Sequence, residues 1–470
     1  MFRLIKAKFT EPNNDILSFC LISVLFFLEI IIETKESRIS YIYEIKMSKL
    51  IIQFILLTLS INVIFGQENS NRIEIGSRLH ITSEFLKEKR EFQVYLPPTY
   101  NFSDKNNYPV VYLLDGDYNF HYVTGLIELM SNVSGKMPEC IVVGIADKGS
   151  SKYRKNCTPN QIEGKEGNAQ NFMSFIAKEL KPFINNKYRT ADYNMIIGHS
   201  IGGLFVTNYH LEKPDDFDAF IAIDPALWLG EYEIISRADS IYKNKKSLSP
   251  LFYISSSNAP EMGINKYTSI LEKHFPSNEK WSHFNFESEN HNSVGLPTIK
   301  KSFEHIFKDW SISKKQFMSF EGANNIIDHY KELSDKYSLK TSIHPYFLGN
   351  IIYYYFNRDK KEDLLILENG IKEYFPGSLE EFYNQFALNC FEAKEYQKAL
   401  EYYNKSITYN SLSFNAYDGI AKVYLAQGNY KSAILNNKKS IELATTCNAR
   451  QWMMNQLIAT SDRIKDKTKK

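Results

Sequence analysis

The sequence has few cysteines and almost no net charge, and each shortage excludes a class of function. Its five cysteines are scattered, with no C-x-x-C pair and no metal-ligand spacing to histidine. Neither a zinc site nor a disulfide framework is therefore expected. The net charge is only +2 and no basic stripe follows the chain, so nucleic acid is not an expected partner. The chain reads as a globular protein.

Cys140 and Cys157 leave one question open, because the sequence is compatible with a bridge between them. Cys140 opens the apolar segment CIVVGI. A buried free thiol is the expected state at such a position.

Two apolar runs lie near the N-terminus, before the globular part of the chain. From Met47 the chain has one lysine, an apolar run of roughly fifteen residues and then small and polar residues, which is typical of a secretory signal peptide. We therefore expect residues 1–46 to be an over-extended N-terminus, residues 47–66 to be a signal peptide, and the mature chain to be periplasmic or secreted without a stable membrane span. An N-terminal membrane anchor is the alternative.

Residues 68–312 have the pattern of an α/β domain. Alternating apolar residues between about 72 and 96 flank the charged cluster KEKRE, which predicts a β-hairpin. Short apolar runs such as YPVVYLL, CIVVGI, NMIIGH and AFIAI then alternate with segments of helical length. This alternation indicates a mostly parallel sheet with helices on both faces.

Residues 322–465 lose the strand pattern and contain an internal repeat. Five pairs of identical residues are separated by 34 positions: Tyr396 and Tyr430, Ala399 and Ala433, Ser406 and Ser440, Ile407 and Ile441, Ala387 and Ala421. This is the period of tetratricopeptide repeats, so we expect an all-α helical repeat domain with a third, weaker unit before the other two. Two helix pairs with coincidental spacing are the alternative. The polar segment SISKKQFMSFEG is the expected boundary.

The stretch NMIIGHSIGGLFV contains a candidate nucleophile, Ser200. Gly198 to Gly202 match G-x-S-x-G, which is weak evidence alone, but an apolar strand leads in and a helical segment leads out. That strand, elbow and helix is the setting of the α/β-hydrolase nucleophile. A serine on such an elbow crowds the positions two before and two after it, and both are glycine here.

His291 is the expected base, since it lies in a polar turn and follows the serine in the order used by α/β-hydrolases. His199 is expected to point away from Ser200 and to be structural. For the acid that orients the imidazole, Glu261 is favoured and Asp224 is the alternative. A Ser–His dyad without an acid also stays open.

The oxyanion of the reaction needs two backbone donors. The amide of Ile201 is one candidate. The other is the amide of Asp117, in a turn that Gly116 is expected to bend. Four nearby residues are candidates for the substrate pocket, although each could equally be core: Tyr118, Phe120, His121 and Trp228.

The segments REFQVYLPPTY, YPVVYLLDGDYNFH, IIGHSIGGLF, AFIAIDPALWLG and ENHNSV resemble the blocks of the esterase family that includes enterochelin esterases, esterase D and feruloyl or acetyl-xylan esterases. The resemblance implies an α/β-hydrolase fold over about residues 75–310, with Ser200 as nucleophile, His291 as base and the amides of Ile201 and Asp117 as oxyanion hole. This sequence departs from the family at Asn156, where an acid is usual, and at Cys157, where an apolar residue is usual.

The expected function is an exported serine esterase that needs no cofactor or metal and acts on a small-molecule or carbohydrate-linked ester. Two alternatives remain open. The same acyl-enzyme could pass its acyl group to an alcohol, as in an acyltransferase, or a catalytically silent hydrolase fold could serve as a binding protein whose repeats recruit a protein partner.

Overall fold

A computed structural model describes residues 73–146, 149–159, 161–162, 165–259, 261–276, 279–339 and 342–469. The predicted signal peptide and the segment before it lie outside these residues. Residues 75–470 form one compact unit. Among the helices of the described ranges, none combines the length and the apolar character that crossing a bilayer requires.

The sheet confirms the predicted α/β class. The described strands are β1 (Ser77–Ser83), β2 (Glu88–Tyr95), β3 (Tyr108–Leu113), β4 (Ile141–Ile145), β5 (Gln161–Ile162), β6 (Lys165–Glu166), β7 (Thr190–His199), β8 (Ala219–Ile223), β9 (Leu251–Ser256) and β10 (Trp281–Asn285). Eight of them form one sheet in the order β1-β2-β4-β3-β7-β8-β9-β10, and β5 and β6 form a separate antiparallel pair. β1 and β2 pair antiparallel, as the hairpin pattern predicts. β2 also pairs antiparallel with β4, and all other neighbours in the large sheet are parallel.

Helices cover both faces of this sheet. In chain order they are α1 (Gly116–Glu128), α2 (Ser150–Cys157), α3 (Ala169–Phe175), α4 (Lys181–Lys187), α5 (Ile201–Glu212), α6 (Glu233–Tyr242), α7 (Ile264–His274) and α8 (Gly295–Ile306). Short π-helical turns at Leu129–Val133 and Ile176–Leu180 extend α1 and join α3 to α4.

The central strands are apolar throughout because both of their faces are covered. Val111 and Leu113 of β3 belong to one core, while Val110 and Tyr112 belong to the core on the opposite face. Cys140 and Cys157 are both buried, and neither is part of a disulfide, so the bridge that the sequence left open is not formed.

The C-terminal region is helical, as predicted. Its helices are α9 (Lys314–Ser319), α10 (Ala323–Tyr337), α11 (Pro345–Asn357), α12 (Lys361–Tyr374), α13 (Leu379–Glu392), α14 (Tyr396–Tyr409), α15 (Phe414–Ala426), α16 (Tyr430–Thr446) and α17 (Gln451–Thr468). The turns that join α11 to α12, α13 to α14 and α15 to α16 each hold one residue with positive φ: Asp359, Lys394 and Gly428. Lys394 and Gly428 are 34 positions apart, as are the fully buried Ala399 and Ala433.

The segment expected to be a boundary contains a short helix. Lys314–Ser319 forms α9, which Ser313 caps by accepting a hydrogen bond from the amide of Gln316. Phe317 of this helix packs edge-on against Phe347 and Tyr354 of α11. The polar pattern of the segment did not indicate this helix, because one aromatic side chain, that of Phe317, anchors it in place of an apolar face.

The helical region packs directly on the α/β region, and one apolar core runs through both. His344 donates from Nε2 to the carbonyl of Asn132 at 3.1 Å, and the Arg450 guanidinium lies 2.6 Å from the Glu128 carboxylate. These contacts fall at the C-terminal end of α1, whose N-terminal end lies at the candidate active site.

Candidate active site

Ser200 stands on a sharp turn between β7 and α5. Its backbone has φ 56° and ψ −114°, a conformation that non-glycine residues rarely adopt. The amide of Ser200 donates to the carbonyl of Ile223 at 2.9 Å, and its own carbonyl accepts from the amides of Leu204 and Ala226, each at 3.0 Å. The surrounding backbone therefore holds the strained residue in place.

Both glycines of the motif are required by close packing. A Cβ on Gly198 would collide with the carbonyl of Gly202, and a Cβ on Gly202 would collide with the hydroxyl of Tyr153. A structural turn would need only one of them. The packing therefore fits the elbow that the sequence predicts.

Three side chains form a continuous hydrogen-bonded chain at the carboxyl edge of the sheet. The Ser200 hydroxyl lies 2.9 Å from His291 Nε2, and His291 Nδ1 lies 2.7 Å from Asp224 Oδ2. Asp224 directly follows β8, which pairs with β7, and His291 lies in the loop between β10 and α8. In this arrangement Nδ1 donates to the carboxylate, so Nε2 is free to accept the serine proton.

Asp224 is completely buried and is held by residues at the end of β9. Its amide donates to Ser255 Oγ at 3.2 Å, while its carboxylate accepts from the Ser257 amide at 3.1 Å and from the Ser257 hydroxyl at 2.5 Å. Burial acts to raise the pKa of Asp224, but the hydrogen bonds from His291 and Ser257 outweigh it, so the pKa lies below its ordinary value. The carboxylate is therefore charged at neutral pH.

The structure brings Asp224 to His291, whereas the sequence favours Glu261. Both ring nitrogens of His291 are occupied, one by Ser200 and the other by Asp224. Glu261 is exposed, at φ 61° in the loop after β9. The end of β9 thus supplies the serines that hold Asp224, and β8, the strand directly beside the nucleophile, supplies the carboxylate.

His199, which the sequence predicts to point away from Ser200, lies beside the imidazole of His291. Its Nε2 is 2.7 Å from the main-chain oxygen of His291, and the two ring centroids are 4.6 Å apart. Because a carbonyl can only accept, Nε2 carries the proton. Burial, followed by the charge that His291 can carry, lowers the pKa of His199, which keeps the ring neutral.

The turn between β3 and α1 borders the elbow. Leu114 donates to the carbonyl of Ile197 at 2.9 Å, and a Cβ on Gly202 would lie 3.3 Å from the Asp115 carboxylate. The bend is made by Asp115, at φ 54°, and not by Gly116 as the sequence suggests. A side chain is excluded at Gly116 for a different reason, since a Cβ there would collide with Gln93 and the backbone of Gly144.

The two predicted oxyanion donors both lie in the first turn of a helix. Ile201 is the first residue of α5, and Asp117 is the second residue of α1. The first bonds of α1 run from the amides of Tyr118 and Asn119 to the carbonyl of Asp115. The amide of Asp117 therefore precedes the first intrahelical donor, as helix geometry requires. The Asp117 side chain instead accepts from Gln93 at 2.9 Å and from Arg78 at 3.2 Å.

The four predicted pocket residues occupy different environments. Tyr118 is 80% exposed and Trp228 is 41% exposed. His121 is also exposed. Phe120 packs against Gly76 and Gly144 and is partly buried, so packing against the sheet accounts for its position.

Tyr122 is a further aromatic residue at this edge that sequence reasoning missed. A Cβ on Gly295, at the start of α8, would lie 2.8 Å from its hydroxyl. Burial, helped by the charge of Asp115, raises the pKa of Tyr122 to about 12. The sequence could have indicated Tyr122, because it lies four residues after Tyr118 and therefore on the same side of the helix.

Within the described part of the chain, no cluster of His, Cys, Asp and Glu residues is suited to hold a metal ion.

Comparison with known proteins finds similarity to esterases. The family described as "Putative esterase" matches residues 83–259. A ferri-bacillibactin esterase from Bacillus subtilis is 30% identical over 188 residues, 35% of this chain and 64% of that protein, so the match spans less than two thirds of the relative. A siderophore enterobactin esterase from Emericella nidulans is 35% identical over 79 residues, 15% of this chain and 25% of that protein.

Among solved structures, an IroE-like serine hydrolase from Shewanella oneidensis is 26% identical with a TM-score of 0.50, covering 65% of this chain and 99% of that one. The α/β region of this chain is thus similar to esterases of the family described as "Putative esterase", which its residues 83–259 match.

Proposed function

We propose that this protein is a serine esterase in which Ser200 is the nucleophile, His291 the general base and Asp224 the orienting acid. The observation that carries the proposal is the unbroken chain of contacts from Ser200 Oγ to His291 Nε2, at 2.9 Å, and from His291 Nδ1 to Asp224 Oδ2, at 2.7 Å. The same sequence of contacts defines the acyl-transfer triad on unrelated folds.

In the proposed reaction, Ser200 Oγ attacks the ester carbonyl while its proton passes to His291 Nε2. The buried carboxylate of Asp224 stabilises the imidazolium that forms. His291 then returns the proton to the alcohol as it leaves, and the serine remains acylated. A water molecule, activated by the same imidazole, releases the acid and restores the serine.

We assign the oxyanion hole to the amides of Ile201 and Asp117. Each stands at a helix N-terminus, where free N–H groups and the positive end of the helix dipole favour negative charge. The contact between the Asp115 turn and Gly202 supports this assignment, because it keeps the two helix ends next to each other. Tyr118 and Trp228, which stay exposed, are the candidates to contact the substrate.

The proposed substrate class is an ester-linked siderophore. Support comes from the relatives, which are described as esterases of siderophores. Incubation of the purified protein with 4-nitrophenyl acetate, bacillibactin and enterobactin tests both the esterase activity and the substrate class. We expect all three esters to be hydrolysed, and chromatography of the released acids measures the reaction. Hydrolysis of the nitrophenyl ester alone would keep the esterase and reject the substrate class. Inactivity toward every ester would reject the enzyme.

We also propose that the chain is exported, on the strength of the predicted signal peptide at residues 47–66, and that the helical region is of the tetratricopeptide type. Its three helix pairs and their positive-φ turns support that repeat type. Such repeats commonly present a surface to a protein partner.

Transfer of the acyl group to an alcohol is the same chemistry with a different acceptor. Adding alcohols to the ester assay therefore distinguishes a hydrolase from an acyltransferase.

A further inference from the structure

We propose that Ser257 is a positioning residue of the triad, which holds the Asp224 carboxylate in the orientation that accepts the Nδ1 proton of His291. This inference rests on the proposed esterase function. The hydroxyl of Ser257 donates to the carboxylate of Asp224, so its effect on the reaction passes through that carboxylate.

Ser257 contacts both oxygens of the carboxylate. Its amide lies 3.1 Å from Oδ1 and its hydroxyl 2.5 Å from Oδ2, which is the oxygen that also accepts from His291. A carboxylate held at both oxygens cannot rotate about its Cβ–Cγ bond without breaking a hydrogen bond. The plane of Asp224 is therefore fixed relative to the imidazole.

The direction of the Ser257 hydroxyl is fixed as well. Its oxygen accepts the amide of Ala259 at 3.1 Å. Because that lone pair is engaged, the single hydroxyl proton is directed at Asp224. The hydroxyl also compensates the charge of Asp224, which is completely buried, where a missing donor is costly.

Replacement of this hydroxyl has two expected consequences in the full-length protein. In Ser257→Ala, kcat/KM for 4-nitrophenyl acetate falls about 10-fold or more, mainly in kcat, because a carboxylate that is free to rotate no longer holds the His291 ring in its reactive orientation. The acid limb of the kcat/KM profile also moves to higher pH by about half a pH unit, because a carboxylate with one donor fewer stabilises the imidazolium more strongly. Among the residues that the structure describes, the titratable side chains that contact His291 are those of His199 and Asp224.

Ser256→Ala is the matched control. Ser256 is the preceding residue, and its hydroxyl contacts His283 and Asn285 instead of Asp224. We expect this variant to keep the wild-type rate within about two-fold and to keep the wild-type pH profile. Ser257→Cys, of similar size but a weak donor, repeats the test if Ser257→Ala does not fold.

The possible outcomes distinguish the proposed esterase function from the proposed role of Ser257. A wild-type protein that hydrolyses no ester overturns the proposed function and this inference together. An active wild type whose Ser257 variants keep its rate and pH profile overturns the inference alone. Equal losses in the Ser256 and Ser257 variants would show a general loosening of the strand end and would also overturn it.

The contact of His199 carries a second, independent inference. We infer that His199 positions the main chain of His291, because its Nε2 proton is donated to the His291 carbonyl at 2.7 Å. His291 lies in the loop between β10 and α8, and this bond ties its main chain to the end of β7, directly before the nucleophile. A neutral ring at position 199 can hold that loop without repelling the imidazolium formed during the reaction.

Two variants of similar volume test this inference. His199→Gln keeps a side-chain N–H that can reach the carbonyl, and His199→Met keeps the bulk without a donor. We expect kcat to fall about 10-fold in His199→Met with KM little changed, and most of the rate to be retained in His199→Gln. His283→Met, outside the site, is the control. Equal rates for the two His199 variants would overturn the inference.

Discussion

Replacing Ser200 with alanine is expected to reduce ester hydrolysis by at least about 10⁴-fold, because the residual rate would depend on binding and the oxyanion hole alone. The variant should also fail to react with a fluorophosphonate. The change removes one oxygen from a half-buried side chain, so thermal unfolding should be nearly unchanged. Initial rates with 4-nitrophenyl acetate and gel fluorescence of the labelled protein measure both effects.

Ser269→Ala is a suitable control for the Ser200 experiment. Ser269 lies on α7, and its hydroxyl donates to the carbonyl of Asn265 at 2.8 Å on an exposed surface. It should label and hydrolyse like the wild type. A Ser200→Ala protein that keeps more than about one tenth of the wild-type rate would be inconsistent with Ser200 as nucleophile, since removal of a triad member costs far more.

Replacing Asp224 with asparagine is expected to lower kcat by about 10³- to 10⁴-fold. The amide has no charge with which to stabilise the imidazolium, and its NH₂ group can hold His291 in the tautomer that cannot accept a proton from Ser200. The fall should appear in kcat more than in KM, because the lost interaction is strongest in the transition state.

Glu261→Gln is the matched comparison, because the sequence alone favours Glu261 as the acid. Its carboxylate is exposed and His291 already has a partner on each nitrogen, so we expect a rate within about two-fold of the wild type. A larger loss in Glu261→Gln than in Asp224→Asn would reverse the assignment. Near-wild-type rates in both variants would indicate a Ser–His dyad.

Much of the site could be predicted because its requirements are local. The elbow needs small residues two positions on either side of Ser200, and Gly198 and Gly202 record that need in the sequence. The apolar run before the serine and the helical pattern after it give the strand and the helix. Chain order, together with the polar turn in which it lies, predicts His291 among the ten histidines.

The choice of acid could not be made in this way, because it depends on tertiary contacts. Asp224 and Glu261 both follow apolar strands at the same edge of the sheet, and either position is compatible with the chain order. What distinguishes them is that β8 lies directly beside β7 and that the Ser257 hydroxyl points into the site. In the sequence, Ser257 is the last of three consecutive serines and carries no signal of its own.

The same limit applies to the contacts between distant segments. The role of His199 depends on a loop 92 residues away along the chain. The helix at Lys314–Ser319 depends on aromatic residues of α11. Periodicity within a short window cannot record such partners, whereas the 34-residue period of the helical region is repeated often enough to be read directly.

Mapping the fluorophosphonate adduct by mass spectrometry of a proteolytic digest tests the central claim most directly. The account predicts a single phosphonylated peptide that contains Ser200, formed rapidly by the wild type, much more slowly by Asp224→Asn, and not at all by Ser200→Ala. An adduct on a different residue, or ester hydrolysis by a protein whose Ser200 stays unmodified, would contradict it.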